Sequence, residues 1–234
     1  MTTAGCDFFL DFELRAMMQP PFEQFTALGA IGICRHAFAQ RIPGIDVSHD
    51  KVEVLKRLDA AHREIQNGIG VGDWPVFTAQ QIHGNKIAVI DSCSHGPAPC
   101  EFPACDGLVT NQREVVLGVY VADCCAVYVV DPKTPAIGLV HSGRKGTELG
   151  VVPNAIKQMI DRFGSDPANM IVQLSPCIRP PHYEIDFASE IIRKVRALGV
   201  NEIFSRSGPW LGSITSAEGA DGTRSSNVST YARP

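Results

Sequence analysis

The chain has 234 residues, 44% of them hydrophobic and 20% charged, the balance of an ordinary globular protein long enough to bury a core. Its 21 basic and 25 acidic residues leave a net charge of −4, which gives no electrostatic grip on nucleic acid or an anionic membrane. No stretch reaches the roughly 18 consecutive apolar residues of a membrane span, and Asp7, Asp11 and Glu13 interrupt the opening where a signal peptide needs an apolar run. The expectation is a cytoplasmic protein whose eight cysteines are mostly thiols.

Along the chain, residues 1–30 are irregular and broken by Pro20 and Pro21. Ile31 to Phe38 reads as a strand, and Gln40 to Asp46 as a turn punctuated by Pro43 and Gly44. A helix follows, with Ser48 as its cap, Asp50 in its first turn, and Val54, Leu55, Leu58, Ala61 and Ile65 at helical spacing until Gly68 and Gly70. The middle reads as strands: Val76 to Ile82, Lys86 to Ile90, Gly107 to Thr110, Val115 to Val121, Val127 to Val130 and Ala136 to Val140. The stretch 92–105, rich in Cys, Pro, Ser and Gly, reads as a loop.

Gly146 to Phe163 reads as a second helix and Phe187 to Leu198 as a third, with a strand over Met170 to Leu174 between them. Strands and helices mix without strict alternation, so the fold class is α/β or α+β, with sheets covered by helices. Residues 1–204 form one catalytic domain in this reading. The stretch 205–234, rich in serine and glycine, reads as a linker-like or disordered tail.

Three segments carry the chemistry: Gln80 to Gly84 (QQIHG), Val121 to Pro132 (VADCCAVYVVDP) and Gly138 to Gly146 (GLVHSGRKG). Each places His83, Cys124 or His141 at a strand end, where side chains leave the pleat and can converge. Two imidazoles and a thiolate suit zinc, and three protein ligands leave the fourth tetrahedral position to water or substrate. Zinc lowers the pKa of such a water to about 7. The ligands lie 41 and 17 residues apart with no short CxxC-type pattern. Spacing alone therefore also admits a turn-capping His83, a buried Cys124 and a His141 bonded to a backbone carbonyl.

These segments, in this order and together with Cys105 to Thr110 (CDGLVT) and Leu174 to Asp186 (LSPCIRPPHYEID), resemble the YfiH-type family, also called the laccase-domain or polyphenol oxidase family. The resemblance spans roughly residues 31–200. It implies an α/β/β/α layered sandwich, usually monomeric, and one zinc ion on His83, Cys124 and His141. It implies purine nucleoside chemistry: phosphorolysis of adenosine, inosine, guanosine or methylthioadenosine, and hydrolytic deamination of adenosine. The partners are then small nucleosides and phosphate.

Phosphorolysis needs a cationic clamp for phosphate. Arg144 and Lys145 follow His141 where a helix opens, and Arg41 matches the family's arginine in the turn before the first helix. Asp106 and Asp123 are both candidates for acid–base work or for orienting a ligand; Asp123, beside Cys124, could orient His83 or His141, whereas turn formation before Gly107 is the favoured reading of Asp106. Cys125 is expected to point to the opposite face of the strand from Cys124. Departures from the family pattern are HSGRKG in place of HAGWRG and a tail without the usual C-terminal segment.

Three competing functions remain. A copper-dependent polyphenol oxidase fits the family's name, but a full laccase needs more histidines, in His-x-His pairs, than the seven here, none of which is so paired. A single copper on the same three ligands is a smaller version of that reading. A thiol hydrolase would use Cys124 as nucleophile and a histidine as base. A non-catalytic protein would bind nucleoside or metal and turn nothing over.

Overall fold

The computed structural model describes residues 22–42, 44–48, 50–91 and 100–206, and the backbone of 227–233. Its strands make two six-stranded sheets. The first runs β1 (Phe22–Glu23), β2 (Arg35–Ala39), β12 (Asn227–Arg233), β7 (Val115–Val121), β3 (Val76–Ala79) and β5 (Cys100–Phe102). The second runs β11 (Glu202–Ser205), β10 (Ile171–Leu174), β8 (Cys125–Asp131), β9 (Ala136–Ser142), β6 (Gly107–Thr110) and β4 (Ile87–Ile90).

The layering follows from the period-two alternation of strands buried on both faces. On β8, Ala126, Tyr128 and Val130 face the first sheet and pack with its Phe38, Phe77, Leu117 and Val119. The intervening Cys125, Val127 and Val129 face outward, against the helices α4 (Val151–Phe163) and α5 (Phe187–Arg196). After the short α1 (Thr26–Gly29), the first sheet is covered on its outer face by α2 (Lys51–Gly68), whose Ile65 packs with Ala37, Ala39 and Val116. The order helix, sheet, sheet, helix is the expected α/β/β/α sandwich. Cys125 and Cys124 lie on opposite sides of the second sheet, as alternation requires.

Several boundaries differ from the sequence reading. The cap of α2 is Asp50, not Ser48: its carboxylate accepts from the Val52 and Glu53 N–H groups. The helix expected over 146–163 is two helices, α3 (Arg144–Glu148) and α4, parted at Gly150, whose φ of 76° lies in the left-handed region. Within the stretch read as a loop, Cys100–Phe102 pairs in parallel with β3. Residues 92–99 lie outside the described residues.

The stretch read as a structureless tail also ends in a strand. Asn227–Arg233 lies between β2 and β7, antiparallel to both. Its Val, Thr and Tyr suit a strand, and both neighbours would otherwise present an unpaired ladder there. Residues 207–226 lie outside the described residues. Among the described residues, no helix is long and apolar enough to cross a membrane.

Candidate metal centre and cavity

Four adjacent strands of the second sheet, β8, β9, β6 and β4, build the site. β6 lies between β4 and β9, parallel to the first and antiparallel to the second. The loop entering β4 carries His83, and β9 carries His141, opposite Ala126 of β8. Cys124 sits immediately before β8. The ligand atoms of His83, Cys124 and His141 all lie within 4.8 Å of one another. The two imidazoles meet edge to face, with ring centroids 4.8 Å apart.

The loop before β4 is held in an uncommon backbone shape. Gln81 and His83 both have positive φ, 65° and 60°, a conformation that side chains other than glycine adopt rarely. Side-chain hydrogen bonds hold it. Gln81 donates from Nε2 to the Tyr120 carbonyl at 2.5 Å, and its Oε1 accepts from the Tyr120 N–H at 2.9 Å, so the amide copies a strand partner for β7.

Asp106, fully buried, does more. One of its oxygens, Oδ1, accepts from the His83 N–H at 2.7 Å and lies 2.9 Å from His141 Nδ1. The other, Oδ2, accepts from the Gly84 N–H at 2.7 Å and the Ile82 N–H at 3.3 Å. Burial pushes this carboxyl up, but the bonds from His141, Gly84 and His83 outweigh it and hold Asp106 below the usual carboxylate range. Asp106 is therefore more than the simple turn former that the sequence reading favoured: its carboxylate meets the His141 ring and the backbone of the His83 turn.

Donor chemistry and spacing fit a single metal ion. Bonds of about 2.0–2.3 Å to a tetrahedral ion place ligand atoms about 3.3–3.8 Å apart, a separation that small side-chain movements reach from here. Gly143 leaves room for the sulfur: a Cβ there would lie far inside contact distance of Cys124 Sγ.

A cavity of about 330 Å³ opens over the three ligands. Val47, Val54, Leu55, Tyr120 and Val121 give it apolar walls, and Lys51, Gln80, Gln81 and Asp123 are its polar ones. The Lys51 ammonium donates to the Gln80 carbonyl at 3.1 Å and to Glu101 at 2.7 Å, and lies 5.6 Å from the centre of the Tyr120 ring. It is the lysine or arginine on this wall among the described residues.

Of the residues expected to act beside the metal ligands, Asp123 does line the cavity. Arg144 does not. It is exposed on α3, with Nε donating to Glu148 at 3.2 Å and Nη1 to Glu184 at 3.1 Å. Arg41 is exposed in the coil after β2, away from the cavity wall, and Lys145 is exposed on α3. The missed residue is Lys51, which nothing local marks; Asp106 was among the candidates, with turn formation the favoured reading because an acidic residue before a glycine was its only local signal.

A family model described as multi-copper polyphenol oxidoreductase laccase matches residues 29–217. A purine nucleoside phosphorylase of Streptomyces coelicolor is 35% identical over 126 residues, 53% of this chain and 50% of that protein. The purine nucleoside phosphorylase YlmD of Bacillus subtilis is 28% identical over 73% of this chain and 60% of its own length. The chain thus spans about half the length of the curated relatives it matches. The crystal structure of YlmD from Geobacillus stearothermophilus superposes with a TM-score of 0.72 at 18% identity, covering 92% of this chain and 99% of that one, and shows the same fold.

Proposed function

The chain belongs to the family described as multi-copper polyphenol oxidoreductase laccase, and from that premise we propose that it is a zinc-dependent purine nucleoside enzyme. The reactions are phosphorolysis of adenosine, inosine, guanosine or methylthioadenosine, and hydrolytic deamination of adenosine. The observation that carries this reading is the juxtaposition of His83, Cys124 and His141 with a cavity of about 330 Å³, a small-molecule size, whose walls are largely apolar. Relatives named purine nucleoside phosphorylase support it.

His83, Cys124 and His141 would hold the ion, which when bound supplies a Lewis acid and a water of lowered pKa. Val54, Leu55, Tyr120 and Val121 exclude water and offer a purine flat apolar surface. Lys51 has a third N–H beyond its bonds to Gln80 and Glu101, available to a substrate oxygen. Asp123, a carboxylate on the cavity wall, would move the proton. In phosphorolysis a phosphate oxygen bonds to C1′ of the sugar, the C1′–N9 bond breaks, and the purine takes up a proton. In deamination, water adds at C6 of adenine and ammonia leaves.

The test is incubation of the metal-loaded protein with adenosine or inosine, with and without inorganic phosphate, and chromatography of the products. Phosphate-dependent release of free base, or phosphate-independent ammonia from adenosine, supports the reading. Copper-dependent oxidation of phenols without nucleoside turnover would replace it with the oxidase reading.

A further inference from the structure

We propose that Asp106 is the positioning residue of this centre. Its carboxylate fixes His141 as the Nδ1–H tautomer and pins the His83 turn, so that both imidazoles face Cys124 before any metal binds. The inference rests on the reading of those three side chains as ligands.

Sequence distance separates this role from that of a turn former. An aspartate that shapes its own turn accepts from N–H groups two or three residues on. Asp106 instead accepts from residues 22, 23 and 24 positions away and meets a ring 35 positions away. Its place in the fold explains the reach. Asp106 stands just before β6, its N–H donating to the Lys86 carbonyl on one side at 2.9 Å and its carbonyl accepting from the His141 N–H on the other at 2.7 Å. The central strand thus meets both ligand-bearing segments through main chain and side chain together.

The chemistry calls for a carboxylate. Three of the four groups around it are backbone N–H donors, and the fourth is a ring nitrogen that must donate for its Nε2 to be free for a metal. An asparagine would turn an NH₂ group against N–H donors on one side. The positive φ values at Gln81 and His83 aim the three backbone donors at one point, an anion nest filled by a side chain of the protein itself.

Two measurements test this, and neither reads turnover. The first uses the unmodified chain, metal-free, with ¹⁵N-labelled histidine near pH 7.5. The proposal expects His141 with Nδ1 protonated and Nε2 bare; a dominant Nε2–H form would overturn it. The second titrates Co²⁺ into wild type, Asp106→Asn and Asp106→Ala and follows the thiolate-to-cobalt absorption. Affinity should fall about 10–100-fold in both variants while far-ultraviolet circular dichroism stays native. Wild-type affinity in Asp106→Ala would overturn the proposal. Should a variant not fold, the tautomer measurement decides alone. A protein that shows the tautomer and cobalt binding without nucleoside turnover would separate this proposal from the functional one.

Discussion

Gly143→Ala tests how tightly the fold is drawn around the ligand sulfur. Gly143 has φ −98° and ψ −167°, extended backbone that alanine adopts freely, so the added methyl meets no conformational objection. The obstacle is contact. The new Cβ would lie 3.6 Å from Cys124 Cβ and 3.9 Å from His83 Cδ2, both ordinary, but far inside the contact distance of Cys124 Sγ. Carbon contacts settle near ~3.5–4.0 Å, so the sulfur must retreat by about 1 Å or the backbone must yield. Metal–ligand distances tolerate about 0.2 Å. The overpacking itself costs about 1–3 kcal/mol, a fall of about 2–12 °C in melting temperature for a chain of this size. Cobalt affinity should drop at least 100-fold, or about 2.7 kcal/mol. Gly29→Ala, where a Cβ meets nothing within 4 Å, is the control and should change neither quantity. Native cobalt affinity in Gly143→Ala would refute the placement of Cys124.

Stability should weaken in mild acid because of His36. Burial pushes this imidazole from 6.5 down to about 4, and its Nε2 accepts the Phe25 N–H at 2.6 Å, which only the neutral ring allows. Between pH 6.5 and 4 the unfolded chain binds the extra proton, so stability falls as pH drops through that window and levels off below it, by up to about 3 kcal/mol. Urea titrations at pH 7 and pH 5 should show this loss shrinking in His36→Gln; an unchanged pH dependence would contradict it. Asp131→Ala should cost about 2–4 kcal/mol, since the buried carboxylate accepts from the Lys133, Thr134 and Asp166 N–H groups, which lose that partner, and from the Thr134 hydroxyl, which keeps only its bond to the Ser165 hydroxyl at 2.7 Å. Thermal melts measure that loss, and cobalt binding should stay native because Asp131 ends β8 at the strand terminus opposite Cys124. Lys51→Met keeps the aliphatic stem but loses the ammonium, so KM for nucleosides should rise about tenfold or more with metal content unchanged; an unaltered KM would remove Lys51 from the substrate wall.

What could be seen in the sequence were features encoded locally. The apolar runs of β6, β7, β8 and β9 and the helical spacing of Val54, Leu58, Ala61 and Ile65 announce themselves within a few residues. His83, Cys124 and His141 stand at strand ends beside glycine or turn residues, so ordered motifs point to them. Asp106 was read as a turn former because its partners are 22 to 35 residues away and meet it only once β4, β6 and β9 are in register. Arg144 illustrates the converse. Its position after His141 suggests a clamp, but the start of α3 turns its side chain toward Glu148 and Glu184 instead. The pairing of β12 between β2 and β7 joins segments about 110 to 190 residues apart, a non-local ladder of the kind that periodicity within a window cannot register.

The most direct test of the account is metal content measured together with turnover. Protein prepared without added metal, as wild type, Cys124→Ala and Cys125→Ala, would be analysed by mass spectrometry and then assayed with adenosine and phosphate. About one zinc per chain and nucleoside turnover are expected in wild type and Cys125→Ala, with both lost in Cys124→Ala. Metal-free wild-type protein that still turns over nucleoside, or zinc retained in full by Cys124→Ala, would contradict it.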